Sequence, residues 1–323
     1  MRIKKITIFI LINILILTLP NLVFSSDDYS WNSNAGIASN DLHGIVYGNN
    51  MFVAVGSGGI ILTSSDGCTW NSADSGITSK INNIIWDGSQ FIGVTWDGLV
   101  IFSPDAKKWS KVDTGMKSDL TAIEHSKSLY IAVSPDGNII TSENGRTWKK
   151  SSFHAEVQLN DIIWNGKVFV IVGGEPMSGG TILVSSDGKT WKECIDSSIQ
   201  EIGLQNIIWN GSEFISIGWD NKVLKSSDGT EWVKCPDMNS FGQFGISWNG
   251  EDYILLAYDK VYKSQDALKW DELPSAGYKC MYDIAWGNGK YVAVGSGKTI
   301  LTSTDGSTWT LGSVKNIHVR NIY

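Results

Sequence analysis

Acidic side chains recur at one turn position along this chain, and their chemistry is the first question that the sequence raises. Asp97, Asp136, Asp220 and Asp259 each lie in a short turn between two apolar runs. Two opposed carboxylates, one acting as an acid and the other as a base or nucleophile, are what glycoside hydrolysis needs. Asp-Gly and Asp-Asn are also ordinary hairpin-turn dipeptides, so a purely structural interpretation fits the same residues.

Two of these aspartates directly follow a tryptophan. An aromatic ring at the tip of a turn need not be buried, and it suits stacking on a sugar or anchoring a protein partner. Each ring can instead fold back onto the neighbouring repeat. The glycine-rich stretch 173–180, "GGEPMSGG", is the longest of these turns, and it carries one charged residue. The candidate ligand-binding residues are Trp96, Asp97, Trp219, Asp220 and Glu175.

Histidine and cysteine positions do not form a catalytic or metal-binding pattern. The histidines are scattered, at His43, His125, His154 and His318. The cysteines, Cys68, Cys194, Cys235 and Cys280, have neither CxxC spacing nor a histidine within four residues. A Ser-His-Asp array and a zinc site therefore lack their residues. We expect no catalytic residue, no metal, no cofactor, and free, partly buried thiols.

The N-terminal segment has the pattern of a secretory signal peptide. Basic residues precede an apolar run at 6–19, which is short for a membrane span, and 23–25 resembles a small-residue cleavage site. The alternative is an uncleaved anchor. Cleavage would leave 27–323 as a single extracytoplasmic domain without a transmembrane span. Residues 1–25 hold three of the 26 basic residues and none of the 33 acidic ones, so the net charge changes from −7 to −10. An acidic surface repels phosphate backbones, and nucleic acid is not expected as a partner.

A seven-residue turn indicates the elements that position these side chains. It reads SSDGKTW at 185–191, recurs as SSDGCTW, SSDGTEW and STDGSTW, and has divergent copies SPDAKKW, SENGRTW and SQDALKW. The third and last positions of these heptapeptide turns are Asp66 and Trp70, Asp105 and Trp109, Asn144 and Trp148, Asp187 and Trp191, Asp228 and Trp232, Asp266 and Trp270, and Asp305 and Trp309. Successive tryptophans are 38 to 43 residues apart. Such a period without helical periodicity is typical of a propeller or solenoid.

Each period contains four extended segments. In 160–192 an apolar run leads to Asn165-Gly166, which predicts a two-residue type I′ hairpin, and a second and a third strand follow before the heptapeptide turn. The sequence therefore predicts an all-β fold, a seven-bladed β-propeller of four-stranded antiparallel blades, with the heptapeptide tryptophans buried between sheets. A right-handed β-helix is the alternative, although its coils are usually shorter. We expect residues 29–36 to close the last blade as its outermost strand.

The heptapeptide Ser/Thr-x-Asp-Gly-x-Thr-Trp resembles the Asp box, or BNR repeat, of sialidases and related propellers, over about residues 29–316. The resemblance implies a turn between the third and fourth strands, whose Asp and Ser/Thr side chains bond the turn backbone. Backbone capture by Asp and Ser, a left-handed Gly and an anchoring Trp give the same structural role. Sialidases bind their substrate with three arginines and use a Tyr–Glu pair and an acid Asp. The mature chain has only Arg146 and Arg320, and no Arg-Ile-Pro segment, so sialidase activity is rejected.

A non-catalytic binding function remains. The chain is similar to photosystem II assembly-factor-like propellers and to exported bacterial Asp-box proteins, but it lacks the basic arginine patch of the plastid group. We expect a secreted scaffold, monomeric, that recognises a protein or a glycan through its turn-bearing face. The alternative is a glycoside hydrolase of the Asp-box type, using Asp97 with Asp220 or Asp259. Such β-glucan-cleaving enzymes resemble two propellers facing each other, and this chain has one.

Overall fold

The computed structural model describes residues 41–175, 179–194, 202–219, 222–236, 238, 242–274, 277 and 280–315. These residues belong to one compact unit, 38–323. The expected signal peptide, 1–25, and the segment 29–36 lie outside the described residues, so both remain expectations.

Seven β-sheets follow one another along the described chain, and each contains four consecutive antiparallel strands. The alternating or wholly apolar runs of the sequence form the first three strands of each blade, and the short fourth strand follows the heptapeptide turn. The strands of blades 1 to 4 are β1 Leu42–Gly48, β2 Met51–Gly56, β3 Ile60–Ser64 and β4 Thr69–Asp74; β5 Ile81–Trp86, β6 Phe91–Thr95, β7 Leu99–Ser103 and β8 Ser110–Asp113; β9 Ala122–His125, β10 Tyr130–Val133, β11 Asn138–Ser142 and β12 Lys149–His154; β13 Leu159–Trp164, β14 Phe169–Glu175, β15 Gly179–Ser185 and β16 Lys192–Glu193. The strands of blades 5 to 7 are β17 Leu204–Trp209, β18 Phe214–Gly218, β19 Val223–Ser226 and β20 Val233–Lys234; β21 Gln243–Trp248, β22 Tyr253–Ala257, β23 Val261–Ser264 and β24 Asp271–Leu273; β25 Met281–Gly287, β26 Lys290–Gly295, β27 Ile300–Ser303 and β28 Thr310–Leu311, with β29 Ser313–Lys315 after them.

The core lies between the blades. Each pair of adjacent sheets shares its own cluster of buried apolar side chains. The last and first blades pack in the same way, through Leu42 and Phe52 on one side and Val292 and Val294 on the other, so the ring is closed. First strands contact the first strands of both neighbouring blades and therefore lie nearest the axis. The predicted seven-bladed β-propeller is confirmed.

Ring closure involves the strand that follows the last heptapeptide turn. Among the described residues β28 is the fourth strand of blade 7, and it pairs with β27 of the same repeat. The placement of residues 29–36 as the outermost strand of that blade stays an expectation. The chain then crosses to blade 1, where β29 pairs in parallel with β4 and makes it a five-stranded sheet.

The prediction of a two-residue type I′ hairpin at Asn165-Gly166 is wrong. Trp164 pairs with Phe169, which leaves four residues in the loop. The Asn165 side-chain oxygen accepts the N–H groups of Lys167 and Val168, both at 2.9 Å. This side-chain capture stabilises a longer turn in which only the glycine needs a positive φ. Two-residue hairpins with two positive φ angles occur at 49–50 and 288–289 instead.

The heptapeptide turn joins the third strand to the fourth, as the sequence predicts. In blade 4 the Asp187 Oδ1 accepts the N–H groups of Lys189 at 2.8 Å and Thr190 at 2.7 Å. The Ser185 hydroxyl donates to the same oxygen at 3.0 Å and accepts the N–H of Gly188 at 2.8 Å. Gly188 has a φ of 68°, which a β-carbon would strain. The Asp187 and Ser185 side chains thus satisfy the N–H groups of the turn, whereas the buried indole N–H of Trp191 has no hydrogen-bond partner.

Burial of the heptapeptide tryptophans is less uniform than expected. Trp70, Trp191 and Trp232 are buried, whereas Trp109, Trp148, Trp270 and Trp309 are half-buried. These rings lie near the short fourth strands, at the outer end of each blade, where one side of the ring meets solvent. Trp70 is wholly buried because β29 lies alongside it.

Candidate functional site on the upper face

We call the face that carries the loops between second and third strands, and the connections between blades, the upper face. The heptapeptide turns lie on the opposite, lower face. Most upper loops are tied by a backbone hydrogen bond to the connection that enters their own blade. The Trp96 N–H donates to the Lys80 carbonyl at 2.9 Å, and the Trp219 N–H donates to the Gly203 carbonyl at 3.0 Å. These bonds give the upper loops a defined position relative to the sheets.

Trp96 is exposed and at the same time held in place. Its side chain is 51% exposed, and the Lys80 ammonium lies 4.2 Å from the ring centroid. A cation at this distance from an indole face is attracted by the ring quadrupole. Burial lowers the pKa of Lys80, while the nearby Asp119 and Asp41 carboxylates act in the opposite direction. The predicted exposure of Trp96 is found, and its indole has a charged partner that the sequence pattern did not indicate.

Carboxylates surround this pair. Asp97 is exposed and accepts the Thr95 hydroxyl at 2.5 Å. Burial raises the pKa of Asp119, Lys80 opposes that shift, and the Asp136 and Asp97 carboxylates reinforce it. The structure therefore brings Asp97 and Asp136 into one electrostatic neighbourhood with Asp119. Sequence reasoning missed Asp119 because it lies in a connection between blades rather than at the repeated turn position.

Asp220, the other candidate aspartate beside a tryptophan, lies outside the described residues, and it remains a sequence-based candidate. Asp259 is exposed in the loop between β22 and β23. A complete ring of four aspartates therefore stays a prediction.

An aromatic arc continues around the same face, formed by Trp219, Phe244, Tyr282 and His43. The Trp219 and Phe244 rings meet edge to face at 5.4 Å, the Phe244 and Tyr282 rings do so at 6.1 Å, and Tyr282 stacks on His43 at 5.5 Å. All four side chains are half-buried. Trp219 thus folds onto the neighbouring blade, which is the alternative that the sequence left open. Phe244 and Tyr282 were missed, although both are the second residue of a first strand.

Burial sets the protonation states of the arc. It raises the pKa of Tyr282 to about 12, with Asp41 adding to the shift. It lowers the pKa of His43 to about 4, and the nearby Lys80 lowers it further. At neutral pH the tyrosine and the histidine are therefore both uncharged, and the arc presents an uncharged aromatic surface.

The equivalent second positions in blades 2 to 4 carry small polar residues that bridge blades. Asn82, Thr121 and Asn160 each donate at 2.7 Å to a carbonyl of the next blade, on Leu120, Leu159 and Leu204 respectively. The hydrogen-bond donors of these three side chains are thus occupied by contacts within the fold. The two halves of the rim differ, with structural polar residues on one side and the aromatic arc on the other.

Glu175 lies at a polar groove rather than in a long loop. The strands β14 and β15 extend beyond their neighbours, and Glu175 pairs with Gly179. The expected glycine-rich loop is thus mostly an extended hairpin, and residues 176–178 lie outside the described residues. Glu175 is exposed, and with Asp136, His154 and Glu156 it lines a groove of about 370 Å³ between blades 3 and 4.

Three further carboxyl groups lie on first strands near the axis, and sequence reasoning missed them. Burial raises the pKa of Glu124 to about 8 and the pKa values of Asp161 and Asp283 to about 7. The Asp161 Oδ2 accepts the N–H of Ile207 in the next blade at 2.9 Å, and Asp283 makes the same bond to Ile45 at 2.8 Å. Each side chain keeps some solvent contact although protein atoms surround it. The two aspartates act as bridges between blades.

Among the described residues, no three His, Cys, Asp or Glu side chains converge on a point that could hold a metal ion. None of the described helices has the length and apolar character needed to span a bilayer. The four cysteines, all described, are free thiols; Cys235 is buried and the other three are half-buried.

Comparisons with known proteins identify the fold. No protein-family model and no curated protein matches the chain. Among solved structures, the WD40 β-propeller domain of Doa1 is similar at 13% identity with a TM-score of 0.66, over 84% of this chain and 95% of that one. YCF48 bound to D1 peptide is similar at 14% identity with a TM-score of 0.65, over 82% of this chain and 93% of that one. YCF48 from Cyanidioschyzon merolae has the same identity and TM-score, over 82% of this chain and 95% of that one. At this level of identity the similarity establishes a β-propeller fold and no more.

Proposed function

We propose that this chain is an exported, non-catalytic scaffold whose upper face binds a segment of another protein. The observation that carries the proposal is Trp96, which is 51% exposed although its backbone and its ring both have fixed partners. An exposed aromatic that is already ordered loses little conformational freedom on binding, and such residues dominate interface energies. The half-buried aromatic arc supplies further apolar contact area on the same face.

The charges of this face indicate what kind of segment fits. Asp41, Asp97, Asp119 and Asp136 lie on it, and Lys80 is half-buried among them. Complementary charge speeds association and disfavours partners of like charge. We therefore infer a partner segment that is basic or neutral and carries an apolar side chain to place against Trp96.

The fold comparison supports a protein partner over a glycan. One of the similar propellers is recorded with a bound peptide. A glycan remains the second candidate, because Trp96 could also stack on a sugar ring. The hydrolase alternative finds less support, since Asp97 accepts a hydroxyl from Thr95 in its own turn, as a structural turn aspartate does.

The proposal is tested with Trp96→Ala beside a matched control, Leu268→Ala. Leu268 is 39% exposed and lies in a heptapeptide turn on the lower face. Purified wild type and variants are used to capture partners from the native envelope or extracellular fraction, and each captured partner is then purified and titrated. We expect Trp96→Ala to weaken binding at least about tenfold, since a central tryptophan contributes on the order of 2 kcal/mol. Leu268→Ala should bind as wild type does.

Two further treatments separate the candidates. Protease treatment of the fraction should abolish capture, whereas glycosidase treatment should leave it intact; the reverse would favour the glycan. Loss of binding in Leu268→Ala, with normal binding in Trp96→Ala, would place the interface on the lower face and contradict the proposal.

A further inference from the structure

The repeat geometry creates a recurring contact between adjacent blades. At two interfaces the fifth residue of a heptapeptide turn lies against a residue at the start of the second strand of the preceding blade. Between blades 2 and 3 this contact is Arg146 with Gln90, whose side chains are 3.2 Å apart. Between blades 7 and 1 the same contact is Cys68 with Lys290, and the Lys290 Nζ lies 3.7 Å from the Cys68 Sγ. A nucleophilic sulfur and a primary amine thus face each other across the ring closure.

Both side chains are positioned by the turn that holds Cys68. The Lys290 Nζ also donates to the Asp66 carbonyl at 2.9 Å, and the Cys68 N–H donates to the Asp66 Oδ1 at 2.8 Å. The Ser313 N–H donates to the Cys68 carbonyl at 2.8 Å, which fixes the turn from the other side. Cys68 and Lys290 are half-buried, so a small oxidant can reach the sulfur.

We propose that Cys68 and Lys290 form an oxidation-dependent covalent cross-link that closes the propeller ring. The oxidant is a peroxide. Its terminal oxygen is transferred to Sγ, the O–O bond breaks, and water leaves, which converts the thiol into a sulfenic acid. The uncharged Nζ then attacks Sγ, the S–O bond breaks, and the departing hydroxyl takes a proton from nitrogen and leaves as a second water. Sulfur has lost two electrons, the peroxide has gained two, and the product contains an S–N bond.

The cross-link would act at the one interface whose two blades are not consecutive in sequence, where the chain crosses only as the tail strand β29 and is held on blade 1 by non-covalent contacts. The other six interfaces join blades that are consecutive in sequence, whereas residues 68 and 290 are separated by 222 positions. A link over a long loop restricts the unfolded chain strongly and should therefore stabilise the closed ring. Release by a thiol reductant would make this stabilisation reversible.

Two of the other cysteines provide internal controls. The Cys194 Sγ donates to the Gly229 carbonyl at 3.6 Å, and burial raises its pKa. Burial raises the pKa of Cys235 to about 11. A thiol that stays protonated reacts slowly with peroxide. Oxidation should therefore be slow at these two positions.

The test uses the purified full chain, treated with hydrogen peroxide at pH 7 and pH 9, digested and examined by mass spectrometry. We expect a linked pair of peptides that contain Cys68 and Lys290, with the summed mass less two hydrogens. The yield should be higher at pH 9, because the amine must lose its proton before it attacks. Dithiothreitol should separate the pair. The Tm of oxidised wild type should exceed that of the reduced protein by about 5 °C.

Lys290→Arg is the matched variant, because arginine keeps the positive charge and a donor for the Asp66 carbonyl. It should match reduced wild type in Tm and circular dichroism, and peroxide should neither link it nor raise its Tm. A linked pair that carries one additional oxygen, an S–O–N bridge, would also support the site. Sulfinic or sulfonic acid at Cys68 without any link, or a disulfide between two chains through Cys68, would overturn the proposal.

Discussion

The carboxyl group of Asp283 should make the stability of the propeller depend on pH, and Asp283→Asn should remove the share of that dependence that belongs to Asp283, while the shares of Glu124 and Asp161 remain. Asp283 bridges the ring closure, with Oδ2 accepting the Ile45 N–H and Oδ1 accepting the Ile284 N–H, both at 2.8 Å. Burial raises its pKa to about 7, against the effect of these two bonds. The folded protein therefore binds a proton more tightly than the unfolded chain does. The corresponding stability is present below the ordinary value of about 3.8 and is lost as the pH rises through 7.

The magnitude follows from the two pKa values. Between pH 5 and pH 8 one such carboxyl lowers the free energy of unfolding by about 2–3 kcal/mol, which is an upper value because the side chain keeps some solvent contact. Asparagine has one acceptor oxygen and loses one of the two bonds, which costs about 1 kcal/mol at pH 5. The variant should therefore be less stable than wild type at pH 5 and more stable at pH 8. An asparagine already occupies the equivalent position in blade 2, where the Asn83 Oδ1 accepts the Ile123 N–H of blade 3 at 3.3 Å.

Urea unfolding at pH 5, 6, 7 and 8 measures the difference, provided that the m-values of the two proteins agree. Asn83→Asp is the reciprocal control, and it should introduce a further fall in stability between pH 5 and pH 8. The reasoning would be refuted if the free energies of unfolding of wild type and Asp283→Asn changed with pH in parallel. A variant that gains stability relative to wild type as the pH is lowered would refute it as well.

Three other predictions concern the turn, the tail and catalysis. Asp187→Ala should lower the free energy of unfolding, measured by heat or urea, by about 1 kcal/mol, because the N–H groups of the turn are exposed and water can replace the carboxylate. A variant of normal stability that no longer binds its partner would instead give the turn a functional role. Two backbone N–H bonds lower the pKa of Asp187 to about 2, so its contribution is present at neutral pH and declines as the pH falls through 2. Truncation after Gly312 removes β29 and the packing of Val314 against the ring-closing cluster. The free energy of unfolding should fall by about 1–2 kcal/mol. Because Trp70 loses its cover, tryptophan emission should shift to the red. The purified protein should release no product from sialyl-lactose or from plant and cell-wall polysaccharides, and product formation that is lost in Asp97→Asn would contradict the non-catalytic proposal.

The fold could be predicted from the sequence because its information is local and repeated. In a turn such as 185–191 the Asp and Ser side chains satisfy the turn N–H groups, so its sequence determines its shape in every copy. Spacing then gives the number of blades. The hairpin type at Asn165-Gly166 was predicted wrongly because the same dipeptide occurs in both two-residue and four-residue turns. The pairing of Trp164 with Phe169, rather than the dipeptide, decides between the two.

The candidate site was only partly predictable, because its residues meet across blades. Trp96 could be identified from its place at a turn tip, where nothing else in the repeat buries it. Trp219 occupies the equivalent place, but Phe244 of the next blade is large enough to pack against it. Lys80 and Asp119 lie in connections whose sequence varies from blade to blade. Their contacts with the turns depend on the ring geometry, which a linear pattern does not contain.

The ring closure shows how a repeat architecture compensates for an interface between blades that are not consecutive in the chain. No described strand of blade 1 or blade 7 is exchanged between them, and each supplies its own first four strands. The interface instead combines the Asp283 bridge to Ile45 with a bond from the Thr302 hydroxyl to the Gly67 carbonyl, at 2.5 Å. The tail adds β29 beside Trp70, which is wholly buried there, unlike four of the other heptapeptide tryptophans. Contacts that are local elsewhere in the ring are thus reinforced at the closure by residues more than 200 positions apart in the chain. Opening of the propeller should begin at this interface whenever one of these contacts is removed, because the other six interfaces join blades that follow one another in the chain, whereas here the crossing tail is held on blade 1 only by non-covalent contacts.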